Sequence, residues 1–142
     1  MFSVIMNELV IEDRNTPLGV VTVVTFRDRV VSEDRGNVKL FASDLVVLAA
    51  ECQSRDARRI VFDCSRLQEL AWNAIKALAQ FRRKFQGTKG SDVRLCCLCE
   101  NVDAVFNIGC WRRRFVRYPT LDAALANSWD RRSPWPRKDT AA

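Results

Sequence analysis

Apolar and polar positions change period several times along the chain, and each change marks an element. "LGVVTVVTF", Leu18 to Phe26, is a nearly unbroken run of Val and Thr, the composition of a buried strand. Pro17 and Gly19 mark its start, and the preceding "VIMNELVIE" predicts a partner strand joined to it through a turn at "DRNTP". A short "RVVSE" segment follows, closed by a turn at "DRGN". From Lys39 to Cys52 the period lengthens. Phe41, Leu45, Leu48 and Cys52 recur at steps of three to four, the spacing of one helical face. "QSRDAR" is a polar connection and "RIVFDCS" a second central strand. "WNAIKALAQFRRKF" predicts a second helix with Ile75, Leu78 and Phe85 near one face, ended by the glycines of "QGTKGSD". "VRLCCLC" predicts a third strand, "ENVDAVFNIG" a short helix with Gly109 near its end, and "RRFVRYPT" a short strand before Pro119. "TLDAALANS" is a closing helix that Thr120 can N-cap.

Strands alternating with helices predict an α/β fold: a mixed β-sheet with a parallel centre, antiparallel opening strands and about four helices. A chain of 142 residues suits one domain with a single core. Residues 1–17 read as an N-terminal strand or extension, 18–127 as the domain, and 128–142 as a mobile basic tail. That tail, "WDRRSPWPRKDTAA", carries two prolines and several charges with little periodicity, so Trp129 and Trp135 are expected in a frayed segment. No internal repeat is visible.

Composition narrows the chemistry. No apolar run approaches the roughly 20 residues of a membrane helix, and "MFSVIMNELVIEDRN" lacks the marks of a signal peptide. The cytoplasm is the expected location. There is no histidine, the usual general base for Ser or Cys nucleophiles, and no phosphate-cradling glycine loop or paired acid–base set. No enzyme activity and no cofactor are expected. Six cysteines are present. Cys96, Cys97 and Cys99 fall in a strand-like run whose neighbours point to opposite faces, and Cys52 and Cys64 in apolar elements where thiols pack as small hydrophobes. No second pair stands at finger-like spacing, so no metal site is expected. Asp63, at a strand end, reads as a loop residue accepting hydrogen bonds from backbone N–H groups.

The net charge of +6 is carried mostly by arginine. It is scattered, which reads first as a solvated basic surface. An alternative site is the patch of Arg112, Arg113, Arg114 and Arg117, with Trp111, Phe115 and Tyr118 as stacking surfaces for nucleic acid or an anionic ligand. Strand alternation puts Arg114 and Phe115 on opposite faces, which argues for the aromatics as core.

The order of elements and several residues resemble the STAS domain, a family that includes bacterial anti-sigma-factor antagonists and related partner-switching modules. The resemblance spans about Leu18 to Asn127. The family reads V-L-D-L-S-G-V-T-F-I-D-S-S-G-L, a strand ending in Asp, a loop and a helix; "VFDCSRLQELAWNAI" follows it without a gap. Val61, Phe62, Asp63 and Ser65 match, Leu67 falls on the loop's apolar position, and Leu70 on the apolar residue before the motif. Thr120, Leu121, Ala124 and Leu125 fit the family's last helix, which opens Thr-Leu-x-x-Ala-Leu.

The resemblance implies a non-enzymatic protein-interaction module whose partner contacts the start of the second helix: Ala71, Trp72, Asn73, Ile75 and Lys76 here. Asp63 and Ser65 become structural loop residues. In phosphorylatable members, the first serine of Asp-Ser-Ser-Gly-Leu receives phosphate from a cognate kinase. In this chain that motif is Ala71-Trp72-Asn73-Ala74-Ile75, and Trp72 stands at the acceptor position without a hydroxyl. The expectation is therefore constitutive binding of a protein partner, an anti-sigma kinase-like protein or a multi-protein assembly, without a switch at this turn. Asn73, a good N-cap residue, is expected to start the helix. Nucleic acid is the lesser expectation, and neither the oligomeric state nor the partner is specified by the sequence.

Overall fold

The computed structural model describes residues 3–85, 91–108 and 115–129. Its elements run β1 (Ser3–Ile5), β2 (Leu9–Thr16), β3 (Gly19–Phe26), β4 (Val30–Val31), α1 (Val38–Ser54), β5 (Arg59–Asp63), β6 (Glu69–Leu70), α2 (Trp72–Arg83), β7 (Asp92–Cys96), α3 (Glu100–Asn107), β8 (Val116–Tyr118) and α4 (Leu121–Ala126). Six strands form a mixed sheet in the order β1-β2-β3-β5-β7-β8, and β4 pairs with β6 in a small second ladder. The first three strands pair antiparallel and the rest parallel. Parallel neighbours need crossover connections, and α1, α2 and α3 supply them in turn.

The opening hairpin is tighter than its sequence implied. "VIMNELVIE" divides into β1 and β2 around a turn in which Met6 N–H donates to the Leu9 carbonyl. The polar residues of "DRNTP" do not form the turn. β2 continues through Thr16, leaving Pro17 and Leu18 as the connection. Asp13 is held in the ladder because one carboxylate oxygen accepts from Thr22 Oγ1 at 2.9 Å and the other pairs with Arg55 at 2.7 Å. Gly19 takes φ +117°, a conformation an L side chain rarely adopts, and so sets where β3 begins.

Strand alternation divides the core between two faces. Ile60 and Phe62 of β5 join Phe26, Phe41 and Phe81 under α1 and α2. There the Phe26–Phe41 and Phe62–Phe81 ring centroids lie 5.6 Å apart, stacked and edge-on respectively. The apolar spacing predicted for α1 and α2 is met: Phe41, Leu45, Leu48, Cys52, Ile75, Leu78 and Phe85 are all buried. On the opposite face Val61, Cys96 and Tyr118 pack with Ala124 of α4 and with Trp129.

That second face is fastened by one cation. Arg94, 4% exposed, donates from Nη1 to the carbonyls of Ala124 (2.7 Å) and Asn127 (2.9 Å), and from Nη2 to that of Ser128 (2.6 Å). Its guanidinium carbon lies 3.6 Å from the Trp129 ring centroid and 5.2 Å from that of Tyr118. Trp129 is therefore buried rather than frayed, and the packed chain extends at least to it. Trp135 and the rest of the expected tail lie outside the described residues. Thr120 caps α4 as expected, its hydroxyl oxygen accepting from Ala123 N–H.

Candidate functional site

The turn into α2 begins where β5 ends. Asp63 Oδ1 accepts the Ser65 N–H at 3.0 Å, the local turn expected of an Asp at a strand end. Leu67 then anchors the loop in the core at 1% exposure. Beyond it the chain is drawn onto the edge of β4. Gln68 N–H donates to the Arg29 carbonyl at 2.6 Å, and Ala71 N–H to the Val31 carbonyl at 2.8 Å. The β4 side is itself tied down. Asn37 Nδ2 donates to the Val30 carbonyl and to Glu8, Asn37 Oδ1 accepts from Ser32 N–H, and Arg35 pairs with Asp28 at 2.9 Å. The Arg35 guanidinium holds the Asp28 carboxyl below the usual carboxylate range.

α2 opens at Trp72, with Ala71 as its N-cap and no side chain capping it. The Ala71 carbonyl accepts from Ala74 and Ile75 N–H. Asn73 does not cap the helix, contrary to expectation. It is the second residue of the helix, two past the N-cap from which a side chain can turn back onto the first-turn N–H groups. Its Nδ2 reaches sideways instead, to Glu33 Oε1 at 2.8 Å. Trp72 is 41% exposed, and Asn73 and Lys76 are also exposed. Ile75 is not available to a partner. It is fully buried, because the third residue on from Trp72 rotates onto the core side of the helix. Ala71 is half-buried against the same core.

Glu33 joins this surface through Asn73, and the sequence did not offer it. It sits 40 positions from Asn73, and nothing local to "SEDRGN" distinguishes it from any exposed turn acid.

No known family profile matches the sequence, and no curated protein does. Among solved structures the chain is similar to an anti-sigma-factor antagonist (STAS) domain protein from Planctomyces limnophilus. Identity is 19%, the TM-score is 0.65, and the match covers 81% of this chain and 93% of that one. The fold is STAS-like. At that identity the similarity speaks for the fold, and the resemblance read from "VFDCSRLQELAWNAI" and "TLDAALA" falls on β5 through α2 and on α4 of the STAS-like core.

Of the alternative basic patch, Arg117 lies among the described residues. Arg117 is 7% exposed and paired with Asp103, with Nη2 also 3.3 Å from Asn107 Oδ1. Both partners lie on α3, where β8 presents alternate side chains. Phe115 is core, edge-on to Phe106 at 5.6 Å, and Tyr118 is buried. These aromatics offer no exposed stacking face. Trp111, Arg112, Arg113 and Arg114 lie outside the described residues. Among the described residues no helix is long and apolar enough to cross a membrane.

Proposed function

We propose that this protein is a non-enzymatic interaction module of the anti-sigma-factor-antagonist type, binding its protein partner through the start of α2 without phosphorylation there. The observation that carries the reading is the exposed Trp72 at a helix start held rigidly by the β4–β6 ladder, in a STAS-like fold. Trp is the side chain most enriched at binding hot spots, and a partly exposed indole on a fixed backbone is ready to fill a partner's pocket with little ordering entropy. Exposed Glu33 and Lys76 give the anchor a charged rim. The turn Ala71-Trp72-Asn73-Ala74 holds no hydroxyl, so no phosphate can be placed on it. A constitutive antagonist and a scaffold subunit of a larger regulatory assembly both use this contact in the same way.

The test is co-purification of the tagged full chain from its native host, repeated with Trp72→Ala and with Asn73→Asp. The expected result is a specific partner retained by the wild type and lost with Trp72→Ala, with urea unfolding showing both variants folded. A partner retained equally by all three proteins would sink the assignment of the contact to this turn.

A further inference from the structure

A second feature lies at the carboxyl ends of β5 and β7, on the sheet face covered by α4. Asp63 and Cys96 are directly paired across the two strands. Strand alternation puts Cys96 on the same face as Arg94, toward α4. A regular strand would send Cys97 to the opposite face. The strand instead stops, and Cys97 adopts φ +62°, a left-handed conformation uncommon for a residue with a side chain. Its backbone N–H is fixed on the Tyr118 carbonyl at 3.1 Å. The result is that a carboxylate oxygen of Asp63 and the Sγ atoms of Cys96 and Cys97 all lie within 4.8 Å of one another.

We propose that Asp63, Cys96 and Cys97 form a zinc site of two thiolates and one carboxylate, with a fourth coordination position open to water or to an incoming side chain. Tetrahedral zinc, with bonds of about 2.3 Å to sulfur and about 2.1 Å to oxygen, holds its donors roughly 3.6–3.8 Å apart. The three atoms are therefore at most about 1 Å beyond ligating distances, within reach of side-chain rotation. Binding displaces the two thiol protons to solvent. The competing chemistry, a disulfide between the two sulfurs, fits poorly. Consecutive Cα atoms are about 3.8 Å apart, whereas disulfide partners usually lie about 4.4–6.8 Å apart. The site borders the loop that leads from Asp63 to Trp72, so an ion here fixes the base of that loop; the proposal stands or falls independently of the partner reading.

The experiment is a titration of the reduced, chelator-treated full chain with Co2+, followed by competition with Zn2+. One equivalent of Co2+ is expected, with a thiolate-to-cobalt charge-transfer band and the intense visible bands of a tetrahedral ion. Zinc abolishes both, and about two protons are released per zinc at neutral pH. Cys97→Gly is the decisive variant, since glycine suits φ +62° and the fold is retained. It should bind at least about a hundredfold more weakly, the upper end of what outer partners alone contribute. Asp63→Asn should weaken binding by about tenfold or more, and Cys99→Ser should leave it unchanged. Absence of the charge-transfer band, or an unaltered titration in Cys97→Gly, would overturn the site. So would mild oxidation that removes the Cys96 and Cys97 thiols together from a protein that takes no cobalt.

Discussion

Replacing Arg94 with alanine should be among the most damaging single changes in the described chain. One guanidinium serves three carbonyls at 2.6–2.9 Å at the end of α4 and just beyond it, where no intrahelical donor remains. A hydrogen bond to a charged group contributes about 1.5–3 kcal/mol net, and a desolvated cation over a Trp face about 2 kcal/mol. These contributions share one side chain and do not add. Part of the loss is recovered when water reaches the Ser128 carbonyl, since Ser128 is exposed. The Ala124 bond is buried and gains no such relief. A net loss of about 4 kcal/mol follows, a large fraction of the roughly 5–15 kcal/mol that stabilises a typical domain. With a urea slope of about 2 kcal/mol/M, the midpoint falls by about 2 M. Arg94→Lys keeps the charge but not the planar fork, and should lose about half as much. Arg58→Ala is the control: its ion pair with Asp56 is comparably short at 2.9 Å but lies exposed at the surface, and no resolvable shift is expected. If Arg94→Ala unfolds within about 1 kcal/mol of wild type, with an unchanged slope, the clasp is not what holds α4 and Trp129 to the sheet.

Three further outcomes are expected. Ile75→Ala should destabilise by about 3 kcal/mol, as a fully buried large-to-small change, while Trp72→Ala should lose less than half of that; urea midpoints of the two variants check the order, and equal losses would mean Trp72 is structural. Asp44→Ala should cost about 2 kcal/mol by the same assay, because this buried carboxylate accepts from Glu8 N–H at 2.7 Å and Asn7 Nδ2 at 3.0 Å, tying α1 to the turn before β2. Stability should fall at alkaline pH. Burial pushes the Cys52 thiol from its ordinary 9.0 up to about 11, so the folded state keeps a proton that the unfolded chain loses, and the stabilisation present below pH 9.0 disappears as pH rises through about 11. Cys52→Ala should flatten the pH dependence of unfolding in that window by about 1.4 kcal/mol per pH unit; identical profiles would refute the assignment.

The layered fold was legible because its signals are local. A Val/Thr run, two helical spacings and a Thr cap each follow from side chains within one element, and each produced the element it announced. What the sequence did not disclose depends on registers between elements. Asp13 remains in a strand because of Thr22 and Arg55, not because of "DRNTP" itself. Asn73 has the right chemistry for a cap but stands two residues too late, and Glu33, which takes its amide, is joined to it only by the fold. Ile75 was assigned to the partner surface by motif position, whereas helical rotation decides its side. The cysteines misled for a related reason. Alternation separates neighbours in any regular strand, and only the left-handed turn at Cys97 brings two thiols to Asp63.

The start of α2 shows how a helix N-terminus can be held without a capping side chain. Local capping by Ser or Asn contributes about 1 kcal/mol and acts only on the first turn. Here Ala71 has nothing to cap with, and the position is specified from a distance: its N–H is taken by the Val31 carbonyl, the residue before it pairs with β4, and Asn73 is tied to Glu33. Each of these bonds crosses some 40 residues of sequence, so their entropy of ordering is met by global folding and not by the turn. A small hydroxyl residue is then not required for the helix to begin where it does. The position is open to a side chain chosen for what it presents outward, and this chain has placed an indole there.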